Sequence, residues 1–363
     1  MCAEEGQGGG RAGARPATGD GAGRADWQSE RVDCWHSLTE VPQGYGPSVV
    51  AVGNFDGVHR GHRKVLTRLV GLASSRSARA VAITFSPHPL HLLHPERAPA
   101  LITSPPHKLA LMAATGLDAT LVLPFTYELA AQTPLEFVRD VLVEGLGAVA
   151  VAVGHDVRFG VNNSGDLATM RELGDQLGFE VEVLDDATGV LGAGADGSVA
   201  AAGRRWSSSW VRELLAVGDV AAAAEVLGRP HRVTGEVVHG DHRGRELGYP
   251  TANLSQDAEG LVPADGVYAG WLLRTGLDEL APDRLLPAAV SIGTNPTFDG
   301  TQRRVEAYVL DRTDLDLYGE IVAIELVERL RPTVRYDSMT ELVVQMARDV
   351  QRCREVLTVV SPG

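Results

Sequence analysis

Five short apolar stretches recur about every 30 residues through the first half of the chain, and this spacing constrains the fold more than any other feature. They are Ser48–Val52, Ala80–Thr84, Ala119–Leu123, Val149–Val153 and Glu180–Leu184. Such an interval holds one strand and one crossover helix, the unit of a parallel sheet. Helical segments fall in the gaps. His62–Leu72 is one. Another starts at Thr133-Pro134-Leu135-Glu136, where a capping Thr, a first-turn Pro and a Glu three residues on mark a helix start, and runs to Glu144 before Gly145. A further helix follows Ser207-Ser208-Ser209, and Asp219–Leu227 is capped by Asp219 and ended by Gly228 and Pro230. The pattern predicts an α/β doubly wound domain.

After Pro230 the period changes. His231–Val238, Gly266–Leu273, Leu286–Ile292, Arg303–Leu310 and Ile321–Val327 read as short strands divided by Gly, Pro and Asp turns, with no helix between them. That predicts a mostly β antiparallel barrel. A helix over Ser338–Leu357 closes the chain, with Leu342, Val343, Met346, Val350 and Leu357 on one face. Residues 1–30 are Gly/Ala/Arg-rich and are expected to form a disordered tail; residues 189–203 read as a loose insertion. The expected division is a tail over 1–30, an α/β domain over 31–228 and a barrel domain over 229–363.

Composition removes several classes of function. The 363 residues carry a formal net charge of -14, which argues against nucleic-acid binding through bulk charge. Cys2, Cys34 and Cys353 are scattered and form no CxxC pair, which suits a reducing cytoplasm better than a disulfide framework or a zinc cluster. No apolar run approaches the roughly 18 residues of a membrane span. The expected protein is cytoplasmic, makes no nucleic-acid or membrane contact, and is a monomer or weak homo-oligomer.

The sharpest motif is Gly53-Asn54-Phe55-Asp56-Gly57-Val58-His59-Arg60-Gly61-His62, which follows a strand and opens a helix. Backbone N–H groups at a helix start favour phosphate, and glycine lets the backbone approach it. His59 and His62 can donate to phosphate oxygens as charge develops. The plainer reading is a tight turn with two surface histidines. Ser207, Ser208 and Arg212 offer further donors at a helix start, although a serine cap and a surface arginine would leave the same trace. Asp156 and Arg158 could equally be a surface ion pair.

A second loop runs Gly240-Asp241-His242-Arg243-Gly244-Arg245-Glu246-Leu247-Gly248-Tyr249-Pro250-Thr251-Ala252-Asn253. Gly240, Arg243 and Gly244 suit a loop over phosphates. Thr251 and Asn253, two apart, share a side in extended chain and offer oxygens to a hard cation such as Mg²⁺. Glu306 lies on an apparent strand, where an inward position would suit a proton acceptor.

Together these motifs resemble the bacterial bifunctional riboflavin kinase/FAD synthetases. GNFDGVHRGH, the Thr84–Pro89 segment TFSPHP, the Gly154–Gly160 segment GHDVRFG and the Ser207–Arg212 segment SSSWVR are similar to that family's adenylyltransferase motifs. The barrel-side loop, Ser291–Phe298, the Val305–Tyr308 strand, Asp316–Glu320 and Leu330–Ser338 are similar to its flavokinase motifs. The resemblance spans about residues 48–355. Val157 stands where the family has an aromatic residue, and Asn162 and Asn163 stand where it often has basic ones.

The resemblance implies that riboflavin is phosphorylated by ATP to FMN, and that FMN is then adenylylated to FAD with release of pyrophosphate. Its implied roles are Glu306 as kinase base, Thr251 and Asn253 at Mg²⁺, and His59 and His62 in adenylyl transfer. Nucleotide contacts are implied at Gly53, Asn54, Phe55, Gly61, Ser207, Ser208, Arg212, Gly240, Arg243 and Gly244, and flavin contacts at His88, Asp156 and Arg158. The alternatives are a riboflavin kinase with a degenerate first domain, another HxGH transferase such as a cytidylyltransferase, and a non-catalytic flavin-binding protein.

Overall fold

The computed structural model describes residues 32–185, 188–189, 203–240, 248–294 and 303–359. The 1–30 tail, Arg243, Gly244 and Asn295–Phe298 lie outside the described residues.

Strands β1 (Asp33–Trp35), β2 (Ser48–Val52), β3 (Arg79–Ser86), β4 (Ala119–Pro124), β5 (Ala148–Gly154) and β6 (Glu180–Leu184) form a sheet in the order β1-β4-β3-β2-β5-β6. Every pairing is parallel. The connecting helices include α1 (Arg60–Ser75), α2 (Pro89–Leu93), α3 (Pro105–Ala113), α4 (Tyr127–Ala131), α5 (Pro134–Phe137) and α6 (Leu167–Leu177). Thr133 and Glu136 make the capping box that their spacing predicts, and the helix continues to Gly145 as a π-helical stretch. The five strands read from the sequence are found within two residues of their expected ends. β1 was not anticipated, because only Trp35 of its three residues is buried.

The sheet is buried on both faces, so its strands read as continuous apolar runs. Val50, Val81, Ile83, Leu121 and Val151 point to one core. Val49, Ala51, Ala80, Ala82, Ala150 and Ala152 point to the other, where Leu66, Leu69 and Leu72 of α1 pack. Alanines on that face let α1 lie close to the sheet, and this sets the position of its N-terminus. The chain passes from β2 to β3 on one side and later places β5 on the other side of β2. The carboxyl end of β2 is therefore the switch point at which such sheets bind ligands.

β7 (Thr188–Gly189) and β8 (Arg204–Arg205) pair antiparallel at the base of the expected insertion. α7 (Ser208–Val217) and α8 (Val220–Leu227) follow, capped by Ser207 and Asp219 as read. β9 (His231–Val238), β10 (Thr251–Leu254), β11 (Gly266–Arg274), β12 (Leu285–Thr294), β13 (Arg303–Val309) and β14 (Ile321–Arg331) close into an antiparallel barrel, β10-β13-β12-β11-β14-β9. β10 was not anticipated; it has four residues, two of them polar, inside what reads as a loop.

Trp210, Val211 and Leu215 of α7 and Val220, Ala223, Val226 and Leu227 of α8 share one core with the barrel interior. Two contacts tie this hairpin to the barrel: Ala264 N–H donates to the Leu215 carbonyl at 2.9 Å, and Arg329 Nη1 to the Val217 carbonyl at 3.0 Å. The helices that complete the first half thus close one end of the second.

α9 (Met339–Val359) packs on the outside of the barrel through Val350, Cys353, Val356 and Leu357. Leu342, Val343 and Met346, expected on the buried face, are only partly covered. The helix is fixed instead by a buried ion pair: Arg331 Nε lies 3.0 Å from both Asp349 oxygens and Nη2 lies 2.7 Å from Oδ2, while Gln345 donates to Oδ1 at 2.9 Å. Breaking such a pair strands a buried charge, which costs about 3–5 kcal/mol. Asp349→Ala is expected to lower the unfolding free energy by roughly 3 kcal/mol in urea titrations, and a loss under about 0.5 kcal/mol would show the pair to be dispensable.

Candidate active sites

The β2–α1 loop is folded around a buried carboxylate. Asp56 is 3% exposed. It accepts the Ile102 N–H at 3.1 Å and the Thr103 N–H at 3.3 Å, and Arg212 closes an ion pair at 2.5 Å. The Asp56 carbonyl accepts from Ser208 Oγ at 2.8 Å. Arg229 donates to the Gly57 carbonyl at 2.8 Å and to the Val58 carbonyl at 3.4 Å. This network holds an unfavourable backbone: φ is 48° at Phe55, 82° at Gly57 and 37° at Val58. Left-handed non-glycine residues cost on the order of 1–3 kcal/mol each and persist only where their surroundings hold them.

The strained turn delivers His59 to the N-cap of α1. Its Nδ1 accepts the His62 N–H at 3.2 Å, and the two rings stack at 3.7 Å with planes 20° apart. An accepting Nδ1 places the proton of neutral His59 on Nε2. Gly61 is required here, because a Cβ would lie 2.9 Å from Cε1 of His59. Burial pushes His59 down to about 4, aided by the charges of Arg205 and Arg229. Burial also holds His62 well below the ordinary histidine range, with His59, Arg205 and Lys108 adding to it. Both rings are neutral near pH 7, so they offer N–H donors rather than charges. The buried His62 Nδ1 has no hydrogen-bond partner among the described residues.

Most of the other expected contacts collect at the same edge. Gly53, Asn54 and Phe55 lead out of β2; His88 follows β3, and Asp156 and Arg158 follow β5. His88 caps α2 by accepting the Leu90 N–H at 3.2 Å. Ser207 caps α7 by accepting the Trp210 N–H at 3.2 Å. Ser208 and Arg212, read as phosphate donors, are committed to Asp56 and shape the loop from behind. The Asp156–Arg158 ion pair is not formed: Asp156 pairs with Arg205 at 2.8 Å, while Arg158 donates to the Val157 carbonyl at 2.8 Å. Arg205, Arg229 and Lys108 went unread because each lies outside the motifs and reaches the loop only through the fold.

The second site is on the barrel. Thr251 and Asn253 do share a face: Asn253 Nδ2 donates to Thr251 Oγ1 at 3.3 Å and to the Thr251 carbonyl at 3.2 Å. Glu306 pairs directly across from Asn253. Glu306 does not occupy an inward position on its strand. Its neighbours Val305 and Ala307 point into the barrel core, so strand alternation turns Glu306 outward, to the face of Thr251 and Asn253. Gly240 lies against this pair, since a Cβ there would come within 2.7 Å of the Asn253 amide. A small open cleft lies beside Thr251 at this mouth of the barrel, lined also by Pro250, Val309, Leu317 and Tyr318. Among the described residues no three His, Cys, Asp or Glu gather as a metal site.

The neutral buried histidines carry a pH signature. His231, 2% exposed with Nε2 donating to the Leu261 carbonyl at 2.6 Å, is also pushed by burial to about 4, and His107 to about 3. Unfolded histidine binds a proton below about 6.5, so between there and about 4 the unfolded state holds more protons. Stability must therefore fall as pH falls through this window, by up to about 1.4 kcal/mol per pH unit for each such group. The urea midpoint is expected to drop between pH 7 and pH 5, and His231→Gln to flatten the slope. An unchanged midpoint would contradict the buried neutral state.

Comparison with known proteins agrees with both halves. Residues 42–190 match the family model described as FAD synthetase, and residues 227–357 the one described as riboflavin kinase. The chain is 36% identical to the bifunctional riboflavin kinase/FMN adenylyltransferase of Escherichia coli K12 over 90% of this chain and 98% of that protein. It is 35% identical to the protein of the same description from Pseudomonas fluorescens, over 88% and 95%. A crystal structure from Streptococcus pneumoniae, titled a macrolide-efflux protein, superposes with a TM-score of 0.74 at 28% identity, covering 88% of this chain and 98% of that one. No helix among the described residues is long and apolar enough to cross a membrane. With matching models in both halves and relatives aligned over nearly their full length, the chain belongs to the bifunctional riboflavin kinase/FMN adenylyltransferase family.

Proposed function

We propose that the protein makes FMN from riboflavin and ATP on the barrel, and FAD from FMN and ATP at the β2–α1 loop. The observation that carries this reading is the presence of two separate phosphate-handling constellations in one chain. One is the stacked pair His59 and His62 at the sheet's switch point; the other is Thr251, Asn253 and Glu306 on one barrel face.

In the kinase step the ribityl hydroxyl oxygen attacks the γ-phosphorus of ATP, the bond from that phosphorus to the β–γ bridging oxygen breaks, and ADP leaves. Glu306 accepts its proton, and the absence of a side chain at Gly240 lets the Asn253 amide pack against that backbone. The residues fit a Mg²⁺ ion. Asn253 spends its NH₂ on Thr251, which leaves its amide oxygen and the Thr251 hydroxyl oxygen as ligands of the kind Mg²⁺ takes alongside nucleotide phosphates. Bound there, Mg²⁺ would offset the charge of the β- and γ-phosphates.

In the adenylyl step an FMN phosphate oxygen attacks the α-phosphate of ATP and pyrophosphate leaves. The neutral His59 and His62 donate N–H groups to phosphate oxygens as charge moves to the leaving group. Gly53, Asn54, Phe55 and Gly61 form the nucleotide cradle, and His88, Asp156 and Arg158 border the flavin side. Ser207, Ser208 and Arg212 act by holding the loop. Positioning and electrostatics suffice, without a covalent enzyme intermediate.

We place the functional boundary at 228/229, where α8 ends and the barrel begins. The free Cys34 and Cys353 support a reducing cytoplasmic setting, and the reading needs only a monomer or weak homo-oligomer. The test is a double dissociation in the full chain, followed by chromatography of riboflavin, FMN and FAD. Glu306→Gln is expected to slow FMN formation by at least about 100-fold and to leave conversion of supplied FMN within twofold; His59→Gln should do the reverse. Wild-type protein that yields FMN and no FAD would defeat the adenylyltransferase half.

A further inference from the structure

Lys108, in α3, crosses to the carboxyl ends of β2 and β3. Its Nζ donates to Thr84 Oγ1 at 3.0 Å and lies 3.4 Å from the Asn54 carbonyl. Thr84 Oγ1 in turn donates to the same carbonyl at 3.0 Å. Both partners of the ammonium are neutral, and among the described residues Lys108 makes no ion pair. An ammonium has three N–H donors, and two are spent here, which leaves the third for a ligand. A half-buried cation without a carboxylate is costly unless an anion completes it.

The nearby groups sharpen the case. His59 and His62 are uncharged, Arg212 is held by Asp56, Arg205 pairs with Asp156, and Arg229 faces the back of the loop. Adenylyl transfer brings a triphosphate and an FMN phosphate to this edge and moves negative charge onto pyrophosphate. Neutral N–H donors stabilise that charge less than a cation does. Burial draws Lys108 below the ordinary lysine range, against a smaller opposing effect of Asp56, as expected for a positive charge short of compensation.

We propose that Lys108 is a catalytic residue of the adenylyl-transfer site, whose ammonium, anchored by Thr84 and the Asn54 carbonyl, binds the triphosphate of ATP and stabilises the departing pyrophosphate. This rests on the adenylyltransferase reading above. The bond made is between an FMN phosphate oxygen and the α-phosphorus; the bond broken is from that phosphorus to the oxygen bridging to the β-phosphorus. Lys108 keeps its proton throughout.

The experiment compares wild type, Lys108→Met, Lys108→Arg and Thr84→Val in the full chain. Riboflavin phosphorylation and FAD formation from supplied FMN are followed separately. Lys108→Met is expected to lower kcat/KM for ATP in FAD formation by about 100-fold or more, the usual loss for one charge-stabilising donor. The KM for FMN and the kinase rate should stay within twofold. In the reverse direction, from FAD and pyrophosphate, the KM for pyrophosphate should rise with Lys108→Met and be partly restored by Lys108→Arg. Thr84→Val keeps the charge and loosens its anchor, so its loss should be smaller.

Lys108→Met that forms FAD within threefold of wild type overturns the proposal. So does a loss spread equally over the FMN and ATP constants and matched by Thr84→Val, which would mark a purely structural lysine. Wild type without FAD formation would instead overturn the adenylyltransferase reading, and this proposal with it. Should Lys108→Met not fold, the KM for pyrophosphate of Lys108→Arg decides, since a shifted guanidinium alters it and a structural role does not.

Discussion

The carboxylate of Asp56 is the interaction on which the rest of this molecule depends. It draws together the β2–α1 loop, the segment entering α3, and α7 through three hydrogen-bonding partners, Ile102, Thr103 and Arg212. Each is a long-range contact, and none would form in an isolated loop. What they hold is a turn with positive φ at Phe55, Gly57 and Val58. Relaxing that turn would swing His59 away from His62. A charge buried this deeply is tolerable only because every acceptor direction faces a donor and a guanidinium balances it. The geometry of the histidine pair is thus a consequence of an electrostatic interaction.

The same residues join the two halves of the chain. Arg212 and Ser208 lie on the helix hairpin whose apolar face fills one end of the barrel, and Arg229, at the entry to β9, holds the loop carbonyls of Gly57 and Val58. The adenylyl site therefore needs the barrel behind it. The kinase site does not share that end. β9 begins two residues after Arg229, and Val237 near its far end lines the cleft.

Departures from the family pattern acquire a physical meaning in the structure. Asn162 and Asn163 have φ of 54° and 55°, a conformation that asparagine adopts at low cost and a basic side chain does not favour. Their identity reflects the backbone of that turn rather than a lost charge. Val157 is partly buried against the sheet core, as is Phe159.

Local signals along the chain specify the architecture and the two motif centres. A 30-residue apolar period, caps at Thr133, Ser207 and Asp219, and the change of period at Pro230 are local signals, and local signals survive without knowledge of the fold. His59, His62, Thr251 and Asn253 were legible for the same reason, because each pair is close in sequence. Tertiary structure decided the rest. Strand alternation and barrel closure turned Glu306 outward; distant packing brought Lys108, Arg205 and Arg229 to the loop; and Arg212 was paired with Asp56. Those outcomes depend on contacts between residues dozens to more than a hundred positions apart, and only the folded chain brings them within hydrogen-bonding range.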